Sequence, residues 1–434
     1  MIAIYNLDEL TSEDRQKLTE RSRVLERSII ETVNEIITSV KTSGDKALIE
    51  LTAKYDRVTI QNVEINEIDI TKAYNKTPEN QIHALERLFK LLFEYNTKFF
   101  ERFPRHFEMS LSNEVKITNR WIPLDRIGIY VPGGKARYPS TVLMATVPAI
   151  VAGVEEIVIC SPPTLSGLID NGTLAAIQII KNLSQCKVRV FSVGGSQAIA
   201  AMAYGTESVP VVSKILGPGG LYPTVAKYIV SGDVGIDMLA GPSEAIIFAT
   251  DETINLEAIA CELFAQSEHG NDSAAICLTT SRDLAEQVKV FVEELIKDSP
   301  RKRYIEESLG RYGAIIVTKK ISQAVEFIND YAPEHLLILS SDPTPISKLI
   351  KNAGTILLNT PIPFEDYGGA GSNHILPTGK VAKWRTGLSV LDCGKFVPIV
   401  EAPSSAVEDY GPIAKILSEM ENLPAHYRCF EYQL

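Results

Sequence analysis

Short runs rich in valine and isoleucine alternate with amphipathic segments from about residue 131 to residue 339, and glycine-rich turns directly follow two of those runs. This pattern predicts an α/β chain with two doubly wound, Rossmann-like sheets, because apolar strands buried on both faces belong to parallel sheets covered by helices. A change of pattern at both ends adds an N-terminal helical region and a C-terminal helical arm. At 434 residues the chain is long enough for two or three domains.

The elements follow in order. Residues 22–55 carry apolar side chains at helical spacing, with Ser43-Gly44-Asp45 as a break and a new cap. Residues 81–100 form a second amphipathic helix, and the pattern turns to strands between 115 and 131. A helix at 141–152 precedes a strand at 156–160. The strand at 187–193 leads through Gly194-Gly195 into a helix at 197–204. The strand at 214–216 leads through Gly217-Pro218-Gly219-Gly220 into a helix at 224–231. Next come a strand at 245–249, a helix ending at Gly270 and a strand at 274–279. A helix at 283–297, a strand at 314–317, a helix at 321–329 and a strand at 336–339 complete the alternation. After Pro377 the regularity ends, and 381–434 reads as a helical tail with loops.

Composition narrows the function. Lys and Arg number 43 against 54 Asp and Glu, a net charge of −11, so the clustered cations that bind nucleic acid are missing. No apolar run reaches bilayer length, so no membrane span is expected. The N-terminus lacks the basic start and apolar core of a signal peptide. Six scattered cysteines without a Cys-x-x-Cys pair fit a reducing, cytoplasmic setting.

Cys261–Asp272 is the most informative stretch. Gln266 and His269 are three residues apart, which on a helix puts an amide oxygen and an imidazole on one face. Of six histidines, His83 and His106 have no evident partners, whereas His269, His335, His374 and His426 stand in short polar or acidic settings. Singly, each reads equally well as a satisfied surface or core residue; together they suggest a site assembled from distant loops. Glu334-His335 follows a proline at the mouth of a strand, where the imidazole suits general-base work and the carboxylate could activate water; a surface ion pair is the plainer reading. Asp366, in a glycine-rich loop, could supply a hard oxygen ligand. Glu421 and His426 read by themselves as part of a solvated tail. The two glycine turns are candidates for phosphate binding, although neither is the GxGxxG fingerprint.

Taken together, the stretches SGDKALIELTAKYD, GIYVPGGKARYPSTVLM, VGGSQAIAAMAYGTESVP, DMLAGPSEAIIFA, FAQSEHGNDS, APEHLLI, NAGTILLN, SNHILPTG and ENLPAH resemble the histidinol dehydrogenase family over nearly the whole chain. The resemblance implies oxidation of L-histidinol to L-histidine in two NAD-dependent hydride transfers through a bound L-histidinaldehyde. It implies that Gln266, His269, Asp366 and His426 bind Zn²⁺, with His335 as the base and Glu334 activating water. Ser243, His374 and Glu421 match substrate-contacting positions, together with the zinc ligands and His335; Tyr130 and Gln197 match cofactor-contacting ones. Gly220 stands where the family has a cofactor-contacting asparagine, and the loop before His374 departs in length, which makes Glu365 a near substitute for Asp366. The resemblance further implies a homodimer in which the C-terminal arm of each subunit completes the other's site. The expected organisation is an N-terminal arm (1–20), an α/β domain with the metal and catalytic residues (21–128 and 241–380), an NAD-binding α/β domain (129–240) and a dimerisation arm (381–434). The competing readings are a paralogue that oxidises another amino alcohol or diol, a zinc hydrolase using Glu334, and a non-catalytic zinc protein with a decayed cofactor site.

Overall fold

The computed structural model describes residues 2–19, 26–133, 137–239, 241–250 and 255–431. Along the chain the strands are β1 (Ala3–Asn6), β2 (His106–Ser110), β3 (Lys116–Pro123), β4 (Arg126–Tyr130), β5 (Glu156–Ser161), β6 (Lys187–Ser192) and β7 (Lys214–Leu216). They continue as β8 (Gly235–Ile236), β9 (Glu244–Ala249), β10 (Ala274–Thr279), β11 (Ala314–Val317), β12 (His335–Leu339), β13 (Thr355–Leu358) and β14 (Gly394–Glu401).

Two all-parallel sheets carry the architecture. One has five strands in the order β6-β5-β4-β7-β8, and the other six in the order β1-β11-β10-β9-β12-β13. Their central strands are buried along their whole length, which is why their sequences are nearly unbroken apolar runs. Alternation still sorts the side chains: Ala245 and Ile247 of β9 pack with the helices Leu256–Ser267 and Arg282–Leu295 on one face, while Ile246 and Phe248 pack with the helix Ile321–Tyr331 on the other.

The five-stranded sheet is covered in the same way. The long helix Arg27–Tyr55 lays Val33, Ile37, Val40 and Leu48 against Phe191 and Met202. On the opposite face, the helices Glu79–Phe100, Pro139–Ala152 and Asn171–Leu183 pack over Ile127, Ile129, Ile157 and Ile159. The expected break in the long helix is present at Gly44, which adopts φ 51 and ψ −132. A Cβ at Gly44 would fall 2.2 Å from the Glu207 carboxylate, which instead accepts the Asp45 amide at 2.7 Å.

Several elements differ from the sequence reading. The N-terminal segment supplies β1, an edge strand of the six-stranded sheet. The helices Glu67–Lys76, Asn171–Leu183 and Lys302–Tyr312 are additional. The C-terminal region is not only helical: β14 pairs antiparallel with β3, and β2 completes a three-stranded sheet. The helices Ser404–Met420 and Pro424–Glu431 then form the arm. Among the described residues, no helix is long and apolar enough to cross a membrane.

Candidate active site

The candidate residues gather at the amino edge of the six-stranded sheet. His335 is the first residue of β12 and Glu244 the first of β9. The helix between β9 and β10 returns to that edge and ends at Ser267 rather than at Gly270. Gln266 therefore sits in its last turn, and His269 lies just beyond the C-cap Glu268. The two are neighbours through a helix end, not through a shared helical face as the sequence reading had it.

Glu334 and His335 are both buried. One Glu334 oxygen, Oε2, accepts the Glu244 amide at 2.8 Å and Gln266 Nε2 at 3.4 Å. His335 Nδ1 lies 3.7 Å from that same oxygen, and its Nε2 lies 3.1 Å from Asp366 Oδ1 and 3.5 Å from Glu365 Oε2. Neither ring nitrogen has the alignment of a hydrogen bond. His335, Glu365 and Asp366 can bring one ligand atom each within 4.8 Å of one another.

The short helix Ile362–Asp366 delivers the two acids. Glu262, one turn before Gln266, accepts the Ile362 amide at 3.1 Å and so pins that helix. Glu365 Oε1 accepts Ser372 Oγ at 3.1 Å. His374 bridges outward: Nδ1 donates to the Asp366 carbonyl at 2.7 Å, so Nε2 must accept, and the Thr141 hydroxyl stands 3.1 Å away. Ser243 Oγ lies 3.3 Å from His269 Nδ1.

Burial and charge set the protonation states. Burial pushes the Glu334 carboxyl up to about 8 against the pull of His335. Burial alone would lower His335, but Asp366, Glu334 and Glu365 outweigh it and hold the imidazole well above its ordinary value. Burial also raises Asp366, but His335 more than offsets this and the carboxyl ends below its usual value. His269 is exposed, yet the protein around it displaces enough water to lower its pKa. His374 is lowered by burial.

Two features of the cluster are compatible with a bound cation. Among the described residues, Glu334, Glu365 and Asp366 have no Lys or Arg partner. Gln266 is 1% exposed, and its Oε1 is buried without a hydrogen bond because Nε2 is turned to Glu334. A buried orphan oxygen beside three carboxyl groups that share a single imidazole costs free energy unless a cation meets it.

The second group of residues lies at the carboxyl edge of the five-stranded sheet. Tyr130 ends β4, and its hydroxyl accepts the Gly195 amide at 3.1 Å. Burial pushes that phenol up to about 12. Gln197 Nε2 is buried and unpartnered. Gly219 packs beside the Tyr130 ring, and Ser196 Oγ donates to Tyr222 O at 2.9 Å. The glycine turns leading into the helices Gly195–Tyr204 and Leu221–Val230 are thereby brought side by side.

A family model described as Histidinol dehydrogenase matches residues 19–434. The chain belongs to the histidinol dehydrogenase family. Histidinol dehydrogenase from Methanothermobacter thermautotrophicus is 39% identical over 420 residues, 96% of each chain. The enzyme of the same name from Halalkalibacterium halodurans is 40% identical over 407 residues, 93% of each. The crystal structure of histidinol dehydrogenase from Elizabethkingia anophelis superposes with a TM-score of 0.89 at 30% identity, covering 99% of this chain and 97% of that one. The two-sheet architecture is thus that of the histidinol dehydrogenase family, and membership makes the chain an oxidoreductase.

Most of the expected site residues come together within one chain: Ser243, Gln266, His269, Glu334, His335, Asp366 and His374 in one group, Tyr130, Gln197 and Gly220 in the other. Glu421 and His426 do not; both are exposed on the C-terminal helices. The sequence reading missed Glu244 and Glu262. Glu262 carried a signal, its place four residues before Gln266. Glu244 carried none, since only the pairing of β9 with β12 sets it beside Glu334.

Proposed function

We propose that this chain oxidises L-histidinol to L-histidine in two NAD-dependent steps through a bound L-histidinaldehyde, the closing steps of histidine biosynthesis. The observation that carries this reading is the buried Glu334–His335 pair set against Gln266, His269 and Asp366, with one unpartnered amide oxygen and no neutralising Lys or Arg. The donor set of nitrogen and oxygen suits zinc, held by Gln266, His269 and Asp366 with His426 from a second subunit. When bound, zinc would orient the imidazole and amine of the substrate, and NAD⁺ would supply the hydride acceptor.

The chain's own residues handle the protons. His335 takes the alcohol proton once Asp366 is committed to a cation and no longer holds the imidazole charged. Glu334, desolvated and anchored by the Glu244 amide, draws a proton from the water that adds to the aldehyde. His335 then serves again in the second oxidation. Holding the aldehyde against these buried groups keeps it from bulk water. The six-stranded unit carries this chemistry and the five-stranded unit the cofactor. The uncapped amino ends of the helices Gly195–Tyr204 and Leu221–Val230 suit the cofactor's phosphates.

A homodimer with exchanged C-terminal arms accounts for Glu421 and His426. Tyr410, Ile413, Ile416, Leu417, Met420 and Leu423 expose an apolar stripe at helical spacing along the arm, the kind of face that a second copy covers. Six free cysteines fit a cytoplasmic location.

The test is NADH formation from L-histidinol: two NADH per substrate, abolished by EDTA and restored by Zn²⁺. No NADH from zinc-loaded protein sinks the substrate assignment and directs the assay to other amino alcohols and diols. Mixing inactive His269→Asn and His426→Asn chains tests the arm. Shared sites should restore roughly a quarter of wild-type activity, since half the dimers are mixed and each has one intact site.

A further inference from the structure

Lys227 is 2% exposed and Asp237 3%, both within the five-stranded unit and neither among the expected site residues. A lysine is almost never this buried without a partner, and here its ammonium is paired with the Asp237 carboxylate. Such a pair seldom stabilises a fold more than well-packed apolar residues do. What this pair grips is therefore informative. Lys227 Nζ donates to Gly217 O at 3.0 Å, and Asp237 Oδ2 accepts the Gly217 amide at 2.7 Å. The other Asp237 oxygen accepts the Met238 amide at 2.6 Å.

Both polar backbone groups of a single residue are thus held by one ion pair. Gly217 opens the Gly217-Pro218-Gly219-Gly220 turn at φ +106, where a Cβ would lie 2.2 Å from Tyr130 O. The turn can only sit against Tyr130 because residue 217 is a glycine locked in this left-handed conformation. With Gly217 bonded inward, the amides of Gly219 and Gly220 donate to nothing among the described residues. Asp237 also begins the segment that leaves β8 and leads to Ser243, so one carboxylate anchors the turn and the start of the connection to the other sheet.

We propose that Lys227 and Asp237 are positioning residues for the cofactor: they hold the turn of residues 217–220 in the shape that presents its free amides, beside Tyr130, to NAD⁺. The inference rests on the cofactor reading above, so wild-type NADH formation is measured first; a wild type that makes none overturns that reading, and the proposal with it, before any variant is made. Next, the zinc-loaded Lys227→Met/Asp237→Asn enzyme is compared with wild type. The pair of substitutions keeps volume, removes both charges and strands the Gly217 carbonyl. Its KM for NAD⁺ should rise about tenfold, while KM for L-histidinol and zinc content hold and kcat falls no more than about twofold. A merely structural pair would lower melting temperature and active fraction but leave KM for NAD⁺ unchanged, and that result overturns the proposal. So does an equal rise in both KM values. If the double variant does not fold, Asp237→Asn alone should raise KM for NAD⁺ about threefold, and an unchanged value is equally decisive.

Discussion

Replacing Glu334 with glutamine should make the protein more stable and less active. The carboxyl is displaced from 4.5 to about 8, chiefly by burial. Between those pH values the folded state retains a proton that the unfolded chain has lost. Stability therefore falls as pH rises through that window, and the full cost is present above it. At 1.36 kcal/mol per pH unit, 3.5 units set a ceiling of about 5 kcal/mol. Glutamine keeps the shape and an oxygen for the Glu244 amide but never ionises. Urea unfolding of chelator-treated wild type and Glu334→Gln, at one protein concentration, should show nearly equal stability at pH ~4.5. A gap of several kcal/mol in favour of the variant should open by pH ~8.5. The zinc-loaded variant should lose the aldehyde oxidation more than the alcohol oxidation, because only the former needs activated water. A gap that does not change with pH would refute the claim that Glu334 is a desolvated carboxylate. A gap that opens while both oxidations run at wild-type rate would refute its catalytic role.

Four further outcomes are expected. His335→Asn should abolish both oxidations, with zinc content unchanged by metal analysis; retained alcohol oxidation contradicts its role as base. Gly217→Ala should destabilise by about 2 kcal/mol or more, given the left-handed φ and the contact with Tyr130 O. Gly220→Asn, at φ −69 with open space around its Cβ, should instead stay within about 0.5 kcal/mol of wild type in urea unfolding and lower KM for NAD⁺. Burial raises the Asp56 carboxyl from 3.8 to about 6, so its cost grows as pH climbs through that interval and is complete above it. Asp56→Asn should therefore gain about 1 kcal/mol at pH ~8, after allowance for the partial exposure of the group, and little at pH ~4.5.

What could be read from the chain was whatever local pattern or a short motif encodes. The buried strands β5, β9 and β10 announce themselves because every side chain must be apolar. Gly44 was legible as a break because no other residue type fits its backbone there. β14 was not: it is mostly exposed, contains Pro398 and exists because β3 lies beside it. The helix Lys302–Tyr312 buries little more than Ile305 and Leu309 among its apolar residues, so its periodicity is faint. In the site, Glu334-His335 and Gln266-x-x-His269 were visible as short motifs. The approach of Glu365 to His335 was not, since it depends on Glu262 fixing the Ile362–Asp366 helix across a hundred intervening residues.

The six-stranded sheet closes across the widest strand-pairing separation among the described residues, with Ala3 paired to Ala314. During synthesis β1 leaves the ribosome first, yet its neighbour emerges only after the whole five-stranded unit has been made. That unit, whose strands lie between residues 126 and 236, can fold while β1 waits, with Leu7, Leu10 and Leu18 not yet buried in the core they share with β11. Once docked, β1 covers the outer edge of β11. A fusion or truncation that reaches Ala3 would leave β11 as a bare sheet margin, a template on which nascent chains can stack into aggregates.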